Sequence, residues 1–357
     1  MAPARTLSAR QLNRALLARQ HLLERIDKPL VDVIEDIAGL QTQYAPSGYV
    51  ALWTRIRDFD RSALTRAMEA RLAIHGTLMR VTIHTVSAAD YWPMAIGVRS
   101  ARREWLHGVT AGRYSPADVA EVTAAVRAEL AGGPLRVAEL NRRLAARGFG
   151  QLHPGALNVW LDIVRVPPSG TWDRRSNDLY ALADQWLPPD ELHPDGLPSE
   201  GDGLRLLLRR YLAAFGPARA ADFARWAGIS AETAGRVVAE HDLRRFHDEA
   251  GRDLVDLPDA PLPDPDTPAP VRFLPAFEPI LLANVRRAQV LPEAHRRLIF
   301  NTRTPWSMGT VLVDGHVAAT WRYRDGRIIT EALEPLGRRA QVEVEAESAA
   351  LSIFYDQ

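Results

Sequence analysis

Apolar positions fall first in a helical rhythm. Leu12, Leu16, Leu22 and Leu23 form a stripe running to about Arg25, behind a capping box that Ser8 opens and Gln11 completes. A second helix is expected from near Pro29, a residue suited to the first turn, with Leu30, Ile34, Ala38 and Gln41 on its inner face. "GYVALWTRI" and "RSALTRAMEARL" predict two more helices at short spacing. The rhythm then shortens to two. "HGTLMRVTIHTVS" is rich in β-branched residues, reads as a β-hairpin, and ends in a further helix start from Ser87 to Asp90. Short helices followed by a hairpin is the order of a winged helix-turn-helix.

The same order returns twice. Between Tyr91 and Trp186 the pattern predicts a long helix, a Ser115-Pro116 helix start and two helices in "GPLRVAELNRRLAARG" and "HPGALNVWLDIV". The strand and turn of "VRVPPSGTWDRR" follow. From Leu204 it is clearest. "LRLLLRRYLAAFG" is followed by two helices around Gly228 with Ser230 as N-cap, then by two wing strands around "EAG". Trp53, Trp160 and Trp226 lie at helical spacing in apolar runs and read as core. "PDAPLPDPDTPAP" carries proline at every second or third position, which excludes helix and central strand and predicts a stiff linker. Beyond it two Asp-Gly turns separate alternating apolar segments, the strongest short-range hairpin signal. The expected fold is α+β, mainly helical. Three tandem winged helix-turn-helix modules (1–90, 91–195, 196–258) precede a linker (259–270) and a β-rich module (271–357) closed by a helix from about Arg338 to Tyr355.

Composition narrows the chemistry. The 357 residues contain no cysteine, which removes disulfides, thiolate metal sites and cysteine nucleophiles together. No apolar run approaches a membrane span and the N-terminus shows no apolar signal region, so the expected location is cytoplasmic, in association with the nucleoid. Formal net charge is zero, yet Lys28 is the only lysine, so nearly all positive charge is arginine. A GC-rich genome accounts for that bias, but its physical consequence is a supply of bidentate phosphate ligands. The arginines cluster, notably at Arg99–Arg102–Arg103, Arg142–Arg143–Arg147 and Arg174–Arg175, while acidic residues concentrate elsewhere, which permits one basic face. HExxH, GxSxG, Walker A and GxGxxG motifs are all missing, and the ten histidines are scattered. No metal or cofactor is expected.

One stretch stands out. "GLQTQYAPSGY" places Gln41 and Gln43 one residue apart at a predicted helix end. If the helix ends near Gly39, the two lie in extended chain and period two points both amides one way with Thr42 opposed. If it continues, they are about 160° apart, at roughly 100° per residue. Gln41 could also simply extend the buried face of the second helix, leaving Gln43 as an exposed loop residue. Glu35 and Asp36 are rival catalytic candidates, but they sit off the apolar stripe of the second helix and read rather as a pair of solvated carboxylates.

Taken in order, "IAGLQTQYAPSGYVALWTRI", "LMRVTIHTVSAADY", "VRVPPSGTWDRR", "YLAAFGPARAADFARWAGIS", "FLPAFEPILL" and "VLVDGHVAATWR" resemble one family over essentially the whole chain. It is the bacterial winged-helix DNA-binding superfamily that contains the AlkZ- and YcaQ-type DNA glycosylases. The resemblance implies a catalytic Gln-x-Gln, here Gln41-Thr42-Gln43, of the AlkZ-like branch; Thr42 departs from the usual aliphatic middle residue. An amide does not titrate near neutral pH, but two can hold a water near C1′ and set carbonyl dipoles against an oxocarbenium ion. That suffices only for a leaving group already activated, such as a cationic N7-alkylguanine. The implied activity is monofunctional hydrolysis of bulky N7-alkylguanine adducts or crosslinks, in repair or in self-resistance to a genotoxic natural product. Lys28 lies a helix away, too far to form a Schiff base. The expected partner is double-stranded DNA containing an alkylated purine, bound by a monomer.

Arg80, Thr82 and His84 are read as one face of the hairpin, either entering a groove or facing solvent. Arg174 and Arg175 are read as phosphate clamps or as a solvated turn. The rival function is a non-catalytic winged-helix DNA-binding protein or regulator.

Overall fold

The computed structural model describes residues 5–110, 115–149, 154–188, 193, 195–282, 287–300 and 307–357. Helix α1 (Ala9–Arg19) begins on the Ser8–Gln11 capping box and ends earlier than the leucine stripe suggested, because His21 turns left-handed at φ 52°. Helix α2 (Leu30–Asp36) has Pro29 at its N-cap rather than in its first turn. Ala38 and Gly39 then take φ values of 60° and 85°, which turns the chain out of the helix and into the two-residue strand β2 (Leu40–Gln41). Helices α3 (Ala45–Trp53) and α4 (Arg61–Glu69) precede the hairpin of β3 (Ala73–Thr77) and β4 (Ile83–Ser87).

The long helix expected after Tyr91 is two, α5 (Ala88–Gly97) and α6 (Arg99–Val109). Helix α7 (Pro116–Leu130) starts on a Ser115–Asp118 capping box, and β5 (Leu135–Arg136), α8 (Val137–Ala146), α9 (Pro154–Trp160), β6 (Ile163–Arg165), β7 (Leu179–Leu182) and α10 (Ala183–Trp186) follow. The third occurrence keeps the order read from the sequence. Helix α11 (Glu200–Phe215) leads to α12 (Ala220–Ala227), a left-handed Gly228, the Ser230 N-cap and α13 (Ala231–Ala239). The antiparallel pair β8 (Arg244–Asp248) and β9 (Asp253–Asp256) completes it.

Strand pairing joins these segments. One six-stranded sheet runs β2-β4-β3-β6-β7-β5, with β3 and β6 antiparallel through His75↔Arg165 and Gly76↔Val164. The strand β1 (Arg5–Leu7) pairs in parallel with β8, more than two hundred residues on. The proline-rich segment forms neither helix nor strand and is strapped by arginines. Arg14 donates to the carbonyl of Thr267, Arg19 to that of Pro261 and Arg244 to that of Ala260. Strands β10 (Arg272–Leu274), β11 (Gly309–Val313), β12 (His316–Arg324) and β13 (Arg327–Ala332) make the last sheet, turning at Asp314-Gly315 and Asp325-Gly326. Between β10 and β11 lie the short helices α14 (Pro279–Leu282) and α15 (Arg296–Ile299), and α16 (Arg338–Asp356) closes the chain.

Among the described residues, the two largest apolar cores cross these boundaries. One gathers Leu16, Trp92, Val164, Leu207, Trp226 and Leu312; the other gathers Tyr49, Trp53, Trp172, Trp321 and Phe354. Trp53 and Trp226 are buried as expected, and Trp160 is half-buried. No helix among the described residues is long and apolar enough to cross a membrane.

Candidate active site

Strand β2 decides the geometry of the glutamine pair. Leu40 and Gln41 pair with Thr85 and His84 of β4, and the Thr42 amide donates to the Ile83 carbonyl at 2.9 Å. The stretch is therefore extended through Gln41 and Thr42, and its side chains alternate. Thr42 faces inward, its hydroxyl 2.9 Å from that of Thr85. Gln41 and Gln43 meet on the other side, where Gln41 Nε2 donates to Gln43 Oε1 at 2.7 Å. Gln41 is 7% exposed, whereas Gln43 is open to solvent. From across the motif, Asn177 Nδ2 reaches the Gln43 carbonyl at 3.3 Å.

The hairpin residues do not form the outward face read from their alternation. Met79–Val81 is a tight turn, with Arg80 and Val81 left-handed at φ 54° and 58°, so Arg80 belongs to no strand. Period-two alternation applies only along a continuous strand, and the turn interrupts it. Arg80 folds inward instead. It donates from Nη2 to Gln41 Oε1 at 2.8 Å and from Nη1 to the Trp226 carbonyl at the end of α12. Burial lowers its guanidinium pKa to about 10. Thr82 turns its hydroxyl onto the Met79 carbonyl. His84 is 2% exposed, and its Nδ1–H donates to the Thr82 carbonyl at 3.0 Å, which leaves Nε2 as the unprotonated nitrogen. Burial, aided by the neighbouring Arg80 charge, lowers the His84 pKa to about 3.

The rival carboxylates are tied elsewhere. Glu35 accepts from Arg210 at 2.8 Å, and Asp36 from Lys28 at 2.6 Å and His21 at 2.9 Å. Despite its burial, hydrogen bonds from His21 and Lys28 hold the Asp36 carboxyl below the usual range.

Arg174 and Arg175 are both exposed, on the loop between β6 and β7. Arg175 donates to the Tyr44 hydroxyl at 3.1 Å and lies over the rings of Tyr44 and Trp172. The Arg174 side chain has no ion-pair partner among the described residues. Several other arginine clusters are neutralised: Arg99 and Arg102 face Asp162, and Arg143 and Arg147 face Glu129. Beside Tyr44 opens a cavity of about 320 Å³, walled by Tyr44, Arg175, Trp321, Tyr323 and Tyr355. Ser47 also lines it and is 3% exposed, its hydroxyl without a partner among the described residues. Among the described residues no three acidic or histidine side chains gather closely enough to hold a metal.

The structure brings Gln41 and Gln43 to one side as the alternation predicted, whereas the inward turn of Arg80, the Asn177 contact and the aromatic cavity were not read from the sequence. Each involves a contact between residues more than a hundred positions apart, Arg80 through Trp226, for which a single sequence carries no signal.

Comparison with known proteins gives the family and the fold. The family described as DNA glycosylase AlkZ-like matches residues 34–354. The "Interstrand DNA cross-link repair glycosylase" of Streptomyces sahachiroi is 22% identical over 366 residues, covering 96% of this chain and 95% of its own. The solved structure of the Streptomyces sahachiroi DNA glycosylase AlkZ superposes with a TM-score of 0.80 at 22% identity, over 98% of this chain and 97% of that one, so the two share a fold.

Proposed function

This chain belongs to the AlkZ-like DNA glycosylase family, and we propose that it is a monofunctional glycosylase for bulky cationic N7-alkylguanine, in adducts or interstrand crosslinks. The observation that carries the reading is the site's composition: two joined amides, one open to solvent, while the rival carboxylates Glu35 and Asp36 are tied to Arg210 and to Lys28 and His21. Such a site lacks a proton donor for a neutral leaving base. His84, the nearest titratable side chain along the sheet, is held neutral, and Arg80 keeps its proton. The substrate must then bring its own activation, and an N7-alkylguanine does.

In the proposed step the C1′–N9 bond breaks and its electron pair neutralises the charge on the base. A water held by the pair adds to C1′ of the oxocarbenium ion and releases its proton to solvent. The amides act by position and dipole rather than by proton transfer. Bulk on the lesion has room in the aromatic cavity beside Tyr44. Arg174, exposed and without an ion-pair partner among the described residues, and Arg175 suit contact with the phosphates of double-stranded DNA. The protein would act as a monomer, in crosslink repair or self-resistance.

The reading is tested by comparing duplexes that carry one bulky N7-alkylguanine, one uracil or no lesion. Base release is expected from the first alone, with no covalent enzyme–DNA adduct trapped by borohydride. Tight sequence-selective binding to the intact duplex, with no release from any cationic purine, would make the protein a regulator instead.

A further inference from the structure

We propose that Arg80 is the positioning residue of the glutamine pair and that it divides their labour, anchoring Gln41 and leaving Gln43 to meet the water. The inference rests on the glycosylase reading above and adds a residue and an asymmetry to it.

The hydrogen-bond chain runs one way. Arg80 can only donate, so Gln41 must turn its oxygen towards Nη2. That orientation aims Gln41 Nε2 at Gln43 Oε1. Flipping the Gln41 amide would set its NH₂ against the guanidinium and its oxygen against the Gln43 oxygen, losing both bonds. Each glutamine oxygen accepts one hydrogen bond and keeps one lone pair. The two therefore differ in exposure: Gln41 is buried, with one N–H already given to Gln43, whereas Gln43 is open to solvent. A water approaching from solvent meets the acceptor on Gln43 first.

Arg80 is itself fixed by a segment 146 residues further along the chain. Its other nitrogen holds the carbonyl of Trp226, a residue packed among Tyr211, Phe215 and Phe223. Gly228, left-handed at φ 76°, packs on the Arg80 backbone so closely that a Cβ there would lie 2.9 Å from its nitrogen. The turn between α12 and α13 thereby sets the register of the amide pair. Among the described residues no carboxylate pairs with this half-buried guanidinium, so a partly desolvated cation is held without a counter-charge, an arrangement that costs stability. Orienting the pair is what the arrangement supplies in return. A planar fork that spans two acceptors does this better than an ammonium group.

The test measures single-turnover base release at saturating enzyme, together with lesion-duplex affinity across a salt series, for Arg80→Met, Arg80→Lys, Gln41→Ala, Gln43→Ala and Arg80→Met/Gln41→Ala. Arg80→Met is expected to slow release about tenfold to a hundredfold, the scale of a small misplacement, with Kd and its salt dependence unchanged. Arg80→Lys should recover part of the rate. The double variant should be no slower than Gln41→Ala, since both remove one chain. Gln43→Ala should be the slowest single variant. Weakened binding with a shallower salt slope and an intact rate at saturation would make Arg80 a phosphate contact and overturn the proposal. An unchanged rate and Kd would make it merely structural. If Arg80→Met does not fold, Arg80→Lys decides by the same two readouts. A Gln43→Ala enzyme at full rate would sink the glycosylase mechanism itself, whatever Arg80 does.

Discussion

Gln41 faces His84 across the sheet, and the two residues share a property: neither changes protonation near neutral pH. The Arg80 guanidinium titrates near 10 and His84 near 3. Single-turnover release should therefore be flat from about pH 5 to 8, without the bell shape of an acid–base pair; a limb near pH 6 or 7 would point to a titrating catalyst outside this site. Stability behaves differently. Burial lowers His75 and His84 to about 3 from an unfolded value near 6.5. Both are neutral in the fold, so their contribution is complete above pH 6.5 and is lost as pH falls towards 3. The loss is about 1.4 kcal/mol per pH unit for each histidine. Urea midpoints measured down from pH 7 should fall along that slope, and a His84→Gln variant should flatten it by about half. The alternation of Gln41 and Gln43 was legible in the sequence, because Gly39 and Pro46 bracket an extended run. The inward turn of Arg80 was not: its acceptor at Trp226 lies 146 residues on.

The short strand β2 is the element on which the site depends. It exists because Gly39 takes φ 85° between α2 and Leu40, in a space where a Cβ would lie 2.9 Å from Val86. Gly39→Ala should cost about 1–3 kcal/mol and also slow base release by misaligning Gln41; a stable variant with an unaltered rate would show that β2 does not set the geometry. The β6–β7 loop makes a separate prediction. Arg174→Ala should weaken DNA binding equally across sequences and reduce the salt slope by about one, leaving release at saturating enzyme unchanged. At this scale the sequence was informative wherever local chemistry governs. The Ser8, Ser115 and Ser230 helix starts and both Asp-Gly turns all stand where they were read. It was uninformative at the hairpin tip, where a turn replaces three residues of expected strand.

Across the whole molecule the successive segments share sheets and cores. The first two segments join edge to edge at β3 and β6, and the N-terminal strand completes the wing of the third. Buried charges bind them further: Arg19 grips Asp256 through two hydrogen bonds of 2.7 and 2.9 Å, and Arg55 pairs with Glu278 at 2.8 Å. Such pairings connect positions more than two hundred residues apart, so no local pattern announces them. Asp256→Asn leaves Arg19 buried without its counter-charge and should cost about 3–5 kcal/mol, seen as a lower midpoint in a single unfolding transition. The same closure brings together β2 from the start of the chain, the α12–α13 turn and the aromatic wall of the C-terminal sheet. The most direct test follows base release from a duplex bearing one bulky N7-alkylguanine, for the natural protein and for Gln41→Ala/Gln43→Ala. Release that collapses in the variant while lesion-duplex affinity is retained is the predicted result. Release that survives the loss of both amides would contradict the account.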